Sequence, residues 1–467
     1  MSTFSATETT APHALLLPYP AQGHVIPFME LAHRLVNSGF AVTFVNTEFN
    51  HRRVVDAAGA GASGCPRLRL VGVADGMGYG GDRDNFVRLN AAMQEAMPPQ
   101  LEALLDGAGE GLGRVTCVVV DVGMSWALDG VKWRGLPAAA LWAASAAVLA
   151  VLVGAEKLIR DGVIDDDGAP IKLENNSFHL AASTTPMDAT FLAWKNMIGG
   201  RDAECMVFHY LTSTTWAAAA KTDVLLCNTF ADLEPAIFTT QNSPAATILP
   251  IGPLRTWQRS TTKAPVGHFW RVHNEASLSF LDAQPHGSVV YVAFGSLTIM
   301  SPTQLEELAL GLEASGRPFL WVVRPGLAGK LPTVFMHHGR GKVVEWAPQE
   351  RVLAHPAIGC FLTHCGWNST LESIRNGVPM LCWPYFTDQF ANQTYISDIW
   401  RVGLRVARTD NEGMVTKERI MERLESILAD NGIKERVERL KEIAEKSMSE
   451  EGQSLKNLNA FMESIRK

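Results

Sequence analysis

The chain is sparing in charge and has no organised cysteine pattern. Of its 467 residues only 19% are charged, with 41 Lys and Arg against 48 Asp and Glu, for a formal net charge of −7. It has no basic run, which excludes the concentrated cationic footprint that nucleic acid requires. The seven cysteines (Cys65, Cys117, Cys205, Cys227, Cys360, Cys365 and Cys382) are odd in number and scattered, without a CxxC pair or zinc-ligand spacing. They read as reduced thiols of a cytoplasmic protein. Met1–Pro12 contains no Lys or Arg and so lacks the positive start of a signal peptide. Gly135–Ala155 is uncharged over 21 residues, long enough by length alone to span a bilayer. Pro137, the abundance of Ala and the strand-like start make it a buried strand followed by a helix. The expectation is a soluble chain.

What is present is apolar material, 47% of the chain, enough for sizeable cores. The length suits two or three domains. Short β-rich runs alternate with helical patterns, the signature of parallel sheets covered by helices. Strands are expected at Ala14–Pro18, Val42–Val45, Leu68–Val71, Thr116–Val120, Ala138–Leu141 and Val224–Cys227, with a first helix over Pro27–Ser38. Residues 161–215 read as an irregular insertion or lid. The stretch 241–267, rich in Pro, Ser and Thr, reads as a linker. A second series follows at Val289–Ala293, Phe319–Val323, Lys342–Val344, Gly359–Thr363 and Met380–Trp383, with a helix over Thr303–Ala314 and a charged helical tail from Lys417. The fold class is therefore α/β, with two doubly wound parallel-sheet domains facing across a cleft. The boundaries are 1–245 and 268–445, joined by 246–267 and closed by a terminal helix in 446–467.

Several patterns resemble binding motifs without the context that would make them so. Gly59–Gly64 fits GxGxxG, but helical residues precede it and Pro66 follows, so it reads as a loop. Asp82-Arg-Asp84 and Asp165–Asp167 fit DxD. With no third ligand evident they read as solvated loops. Asn175, Asn368 and Asn392 each begin N-x-S/T, without consequence in a cytosolic chain.

The informative region runs from Trp346 to Gln389. A strand, the turn His364–Ser369 and a helix from Thr370 aim backbone N–H groups and a positive helix end at one point, which suits phosphate. His364, Asn368 and Ser369 add side-chain donors, and Glu372 has two oxygens for ribose hydroxyls. Ser369 and Glu372 equally form a capping box, and the spacing favours neither reading. Gly295-Ser296 ends another strand and offers a second phosphate contact. Trp346 presents an indole either to a base or to the core. Asp388-Gln389 suits sugar hydroxyls or a surface turn. Near the start, His24 stands at a helix N-terminus, which disfavours imidazolium and leaves a neutral ring, available as a base or serving only to cap or pack the helix. Asp121 ends a strand at the same sheet edge, where it can orient the ring.

These residues carry a resemblance. Trp346-Ala-Pro-Gln349, His364-Cys-Gly-Trp-Asn-Ser-Thr-Leu-Glu372 and Asp388-Gln389 together resemble the 44-residue signature box of plant family-1 UDP-sugar glycosyltransferases. Pro20–His24, Asn228-Thr-Phe230 with Leu233-Glu234, Ile251-Gly-Pro253 and Val292–Ser296 extend the likeness over nearly the whole chain. The resemblance implies a GT-B architecture, with the acceptor in the N-terminal domain, the UDP-sugar in the C-terminal one, and a last helix crossing back. It implies a stacking role for Trp346, with Ala347 beside it, and ribose contacts for Gln349 and Glu372. Diphosphate contacts fall to Ser296, His364, Asn368 and Ser369, and sugar contacts to Trp367, Asp388 and Gln389. It also implies inversion at the anomeric carbon by a His24–Asp121 dyad, no metal, and no cofactor besides UDP-glucose as donor co-substrate. Gln389 is usually associated with glucose. Ala143 stands where many relatives carry a sugar-contacting Thr, which weakens that inference, and Leu331–Gly341 is slightly short.

The acceptor is expected to be a flavonoid or other phenolic, with terpenoids and hormones as alternatives. Its pocket is expected around Trp126, Trp142, Val148, Phe191 and Met197, an apolar and partly aromatic lining. The expected partners are thus the donor and a small acceptor, with no nucleic acid, no membrane span and a monomeric chain. A nicotinamide dehydrogenase, a non-catalytic UDP-sugar-binding protein and a UDP-sugar epimerase or hydrolase are the competing readings.

Overall fold

The computed structural model describes residues 11–58, 65–78, 80–107, 112–171, 177–180, 186–197, 199–239, 247–254, 269, 275–296, 298, 300–324, 340–407 and 413–466. The Gly59–Gly64 motif, Asn175 and most of Leu331–Gly341 lie outside the described residues.

Seven strands form a first parallel sheet: β1 His13–Leu17, β2 Ala41–Thr47, β3 Leu68–Val73, β4 Cys117–Asp121, β5 Ala138–Trp142, β8 Val224–Cys227 and β9 Thr247–Pro250. Their spatial order is β3-β2-β1-β4-β5-β8-β9. The intervening β6 Ser177–Phe178 and β7 Met187–Asp188 pair only with each other. A second parallel sheet holds β10 Val289–Ala293, β11 Phe319–Val322, β12 Gly341–Val344, β13 Ile358–Thr363, β14 Met380–Cys382 and β15 Gly403–Arg405, in the order β12-β11-β10-β13-β14-β15. Both sheets reverse direction of growth beside their first strand, between β1 and β4 and between β10 and β13. Crevices at the carboxyl ends of such strands are where open α/β sheets bind ligands.

The strands are apolar on both faces because helices cover both. In β1, Leu15 and Leu17 enter one core cluster while Ala14 and Leu16 enter the other. Gly135–Ala155 resolves into β5 and the helix Ala146–Val153. No described helix is long and apolar enough to cross a membrane. The terminal helix, Gln453–Ser464, packs Leu458, Phe461 and Met462 into the core beneath the first sheet. Burial of side chains of this size contributes about 1.5–3 kcal/mol each. Asn457 Nδ2 also donates to the Pro250 carbonyl at 2.9 Å.

Three expectations need correction. The first helix is Gln22–Asn37, five residues longer at its start than Pro27 suggests, and Pro27 lies inside it. The stretch read as a linker from residue 246 contributes Thr247–Pro250 to the first sheet as β9. The stretch 161–215 is not irregular throughout, because Gly200–Lys221 is a 22-residue helix. Thr212, Thr214 and Thr215 disguised it. Thr is a weak helix former, but the Thr212 and Thr214 hydroxyls bond back to the carbonyls of Phe208 (2.7 Å) and Tyr210 (2.8 Å).

Candidate active site

His24 and Asp121 come from the two strands that flank the first sheet's switch point. His24 is the third residue of the helix after β1, and Asp121 ends β4. Their side chains meet, with His24 Nδ1 2.7 Å from Asp121 Oδ2. Asp121 is buried, and its Oδ1 accepts from the Gly123 backbone N–H at 2.9 Å, so the carboxylate cannot swing away. A carboxylate can only accept, so Nδ1 carries the proton and Nε2 presents a lone pair. Burial lowers the His24 pKa, but the charge and hydrogen bond of Asp121, with the charge of Asp388, outweigh it and raise it above 6.5. The helix-end argument for a neutral ring is therefore overridden by its carboxylate partner.

An aromatic group unforeseen in the sequence stands beside this pair. The Tyr19 ring lies 5.3 Å from His24, Phe86 lies 6.4 Å from Tyr19, and Tyr210 meets Phe86 edge-on at 4.8 Å. The Tyr210 hydroxyl donates to the Gly123 carbonyl at 2.6 Å, bracing the turn that fixes Asp121. Only Tyr19, five residues before His24, left a signal by proximity; Tyr210 sits in the helix that was misread.

Four of the five residues expected to line the acceptor pocket share one core. Val148 and Trp142 are buried in the core, and the Trp142 indole donates to the Ser145 carbonyl at 2.9 Å. Trp126 and Met197 pack on the same core from its edge. Phe191 stacks on Phe390, 5.6 Å away, the residue after Gln389. It thus joins the two sheets' domains, and Arg405 lies over the same ring.

On the second sheet, β13 leads through His364-Cys365-Gly366 into the helix Trp367–Arg375. Cys365 adopts φ 64°, a left-handed conformation costly for a residue with a Cβ. Its N–H donates to Thr363 Oγ1 at 3.2 Å and its carbonyl accepts from Asn392 Nδ2 at 2.9 Å, so the turn is clamped from both sides. The His364 ring occupies a slot between two glycines. A Cβ on Gly295 or Gly366 would stand 2.7 or 2.5 Å from its Nε2. Burial drives the His364 pKa down to about 4, so the ring acts as a neutral donor, not as a cation.

The helix starts at Gly366 without a side-chain cap, which excludes the capping box. Instead Gln349 Nε2 donates to Ser369 Oγ (2.9 Å) and Glu372 Oε2 (2.6 Å), while Tyr291 donates to Gln349 Oε1 at 3.3 Å. Burial raises the Glu372 pKa to about 7, a rise that the Gln349 hydrogen bond moderates. Ala347 is buried, and Trp346 is half-buried just after β12. Ser296 follows Gly295, and its carbonyl is held by Arg324, a residue the sequence reading overlooked at the end of β11. Gln389 Oε1 accepts from the backbone N–H groups of Tyr385 (2.8 Å) and Phe386 (3.2 Å), leaving its amide nitrogen to donate. Asp388 accepts from Thr387 (3.0 Å) and Asn392 (2.8 Å); burial raises its pKa.

Trp367 does not present its indole to the site. It is buried, 6.3 Å from Trp400, and donates to the Asn228 carbonyl at 2.8 Å. The motif Asn228–Glu234 is likewise architectural. Glu234 accepts from the Ala146 (3.0 Å) and Ala147 (2.8 Å) amides at a helix start, and Trp400 donates to the Leu233 carbonyl at 2.9 Å.

Comparison with known proteins agrees with this geometry. Residues 272–449 match the family model described as UDP-glucoronosyl and UDP-glucosyl transferase. UDP-glycosyltransferase 83A1 of Arabidopsis thaliana is 37% identical over 469 residues, covering 97% of each chain. The (R)-mandelonitrile beta-glucosyltransferase of Prunus dulcis is 36% identical over 414 residues, covering 85% of each. The crystal structure of Os79 from O. sativa in complex with UDP superposes with a TM-score of 0.80 at 28% identity, covering 97% of this chain and 100% of that one. The fold is GT-B, and the chain belongs to the plant family-1 UDP-glycosyltransferases.

Proposed function

We propose that this enzyme transfers glucose, with inversion, from UDP-glucose to a hydroxyl of a small apolar aglycone, a flavonoid or other phenolic being favoured. The observation that carries the reading is the 2.7 Å contact of His24 with Asp121, across from the Gln349–Ser369–Glu372 network. The acceptor O–H gives its proton to His24 Nε2, and its oxygen bonds to the anomeric carbon. The bond from that carbon to the diphosphate oxygen breaks, and UDP departs with the electron pair. Asp121 stabilises the imidazolium. The N–H groups at the start of Trp367–Arg375, with the His364 and Asn368 side chains, meet the charge growing on the diphosphate. Gln349 and Glu372 hold the ribose, Trp346 stacks the uracil, and Asp388 and Gln389 meet the sugar, with Gln389 donating.

Tyr19, Phe86 and Tyr210 support an aromatic acceptor, since offset and edge-on ring contacts favour planar ligands. The residues 1–245 would then serve the acceptor and 268–445 the donor. Unpaired cysteines and the want of a membrane-crossing helix among the described residues fit a cytoplasmic enzyme.

The test is a mass-shift screen with UDP-glucose, UDP-galactose and UDP-glucuronic acid, without added metal, against phenolics, terpenoids and a small aromatic cyanohydrin such as mandelonitrile. A hexosyl adduct on a phenolic with UDP-glucose supports the reading. Adducts formed only with another donor, or only on non-phenolic acceptors, would overturn its donor or acceptor half.

A further inference from the structure

We propose that Asp167, Cys205 and His209 form a binding site for a divalent cation of the zinc class that takes no part in the chemistry of transfer. Cys205 and His209 lie four residues apart on the helix Gly200–Lys221, so their side chains share one face. That spacing is the one by which a helix offers two ligands to a single metal. The third ligand comes from the acidic loop. In sequence the run Asp165–Asp167 lacks another ligand, and the fold supplies two.

The loop is built before any ion arrives. Asp165 Oδ1 accepts from the Asp167 (3.1 Å) and Ala169 (2.7 Å) amides, and Asp165 Oδ2 pairs with Arg201 at 3.1 Å. Trp194 Nε1 donates to the Gly168 carbonyl at 2.7 Å, pinning the turn to the core. Asp167 Oδ1 then stands 3.5 Å from Cys205 Sγ and 3.5 Å from His209 Nε2. All three candidate ligand atoms lie within 4.8 Å of one another.

The two separations from Asp167 are of the size that ligands of one ion keep. Metal bonds of about 2.0–2.3 Å at tetrahedral angles separate neighbouring ligand atoms by roughly 3.3–3.7 Å. A charge-assisted N–H···O bond closes instead to about 2.7–2.9 Å. The two contacts of Asp167, weak S–H···O and N–H···O interactions as they stand, already hold its carboxylate at the spacing of ligands on one ion. Thiolate, imidazole and carboxylate together select zinc or its neighbours over magnesium or calcium, which prefer oxygen throughout. A bound ion would clamp the acidic loop to the helix that also carries Tyr210, whose hydroxyl braces Gly123.

The test is spectroscopic and does not read sugar transfer. The full chain, freed of metal, is titrated with Co²⁺ for the thiolate-to-cobalt charge-transfer band and with Zn²⁺ by calorimetry. Cys65→Ser is the control, because Cys65 is the only other cysteine not fully buried. One ion per chain is expected, with the band present in wild type and C65S and lost in C205S. His209→Ala and Asp167→Asn should weaken Zn²⁺ binding at least about tenfold. Absence of the band in wild type, its survival in C205S, or wild-type affinity in D167N would each overturn the site.

Discussion

Asn368 Nδ2 donates to the Gly23 carbonyl at 2.7 Å, joining the first turns of the two helices that follow β13 and β1. The acceptor is available because Pro27, four residues on, has no N–H with which to claim it. A proline inside a helix ordinarily costs about 3 kcal/mol. Here its missing donor turns a helical carbonyl into a contact between domains. His24 follows Gly23, and Ser369 follows Asn368, so this bond sets the spacing between the candidate base and the candidate phosphate site.

Asn368→Asp tests that coupling with little change of shape. The carboxylate cannot donate and would face a carbonyl on one side and the donor's phosphates on the other. The lost donor and the added charge facing the phosphates should lower kcat/KM roughly 10–100-fold with the fold intact by circular dichroism. Unchanged kinetics would remove Asn368 from both roles.

The His24–Asp121 pair predicts a pH profile with a definite sign. A base acts when neutral, and Asp121 keeps the His24 pKa above its ordinary 6.5, so the acidic limb of kcat/KM should lie above that value. In Asp121→Asn the larger raising influence is lost, leaving burial opposed only by the charge of Asp388. The limb should move to lower pH while the plateau falls about 10²–10⁴-fold. The stability linkage has the same origin: the pair's contribution is complete below the unfolded value and is lost as pH rises through the raised folded one. A limb that stays put in the variant would contradict the dyad.

Glu372 shifts in the same direction for the opposite reason, its charged form being disfavoured rather than favoured. Its folded pKa of about 7 exceeds its ordinary 4.5, because burial penalises the charge. The folded state therefore gains stability as pH falls from above 7 toward 4.5. Glu372→Gln keeps an acceptor for Gln349 and removes the buried charge. Above neutrality it should raise Tm by roughly 2–4 °C, the shift that about 1 kcal/mol produces in a domain of this size. It should weaken UDP binding about tenfold by calorimetry, if the carboxylate holds the ribose. A lowered Tm would show that the charge is compensated.

The sequence made the sheets legible because buried parallel strands are continuous apolar runs. Val224–Cys227 and Val289–Ala293 fall where expected to the residue. It left β9 and β15 unread, because Thr247–Pro250 sits in a stretch rich in Pro, Ser and Thr and Gly403-Leu404-Arg405 has a single apolar side chain, so neither is the apolar run that marked the equally short β8 and β14. At the site, spacing identified His24, Asp121 and the His364–Glu372 turn, because chemistry there is tied to strand ends. Spacing does not reveal which way a side chain turns. Trp367 and Trp142 were read as facing ligands, yet each finds a carbonyl for its indole N–H in the interior. Tyr210 was missed because it reaches the site from a helix whose threonines hid its period.

The slot around His364 offers the cleanest structural test. Gly366 has φ −61°, a backbone that alanine adopts freely, so Gly366→Ala adds only a Cβ. That atom would lie 2.5 Å from His364 Nε2 and 3.0 Å from Cε1, and the half-buried ring must move. Overpacking of this kind costs about 1–3 kcal/mol, measurable by denaturant unfolding. In a His364→Ala background the obstruction is gone and the same substitution should be nearly neutral, giving a coupling energy close to the single-variant cost. Gly295→Ala is a poorer probe, since its φ of 69° adds backbone strain independent of the ring. If G366A destabilises both backgrounds equally, the glycine serves the helix start and not the histidine.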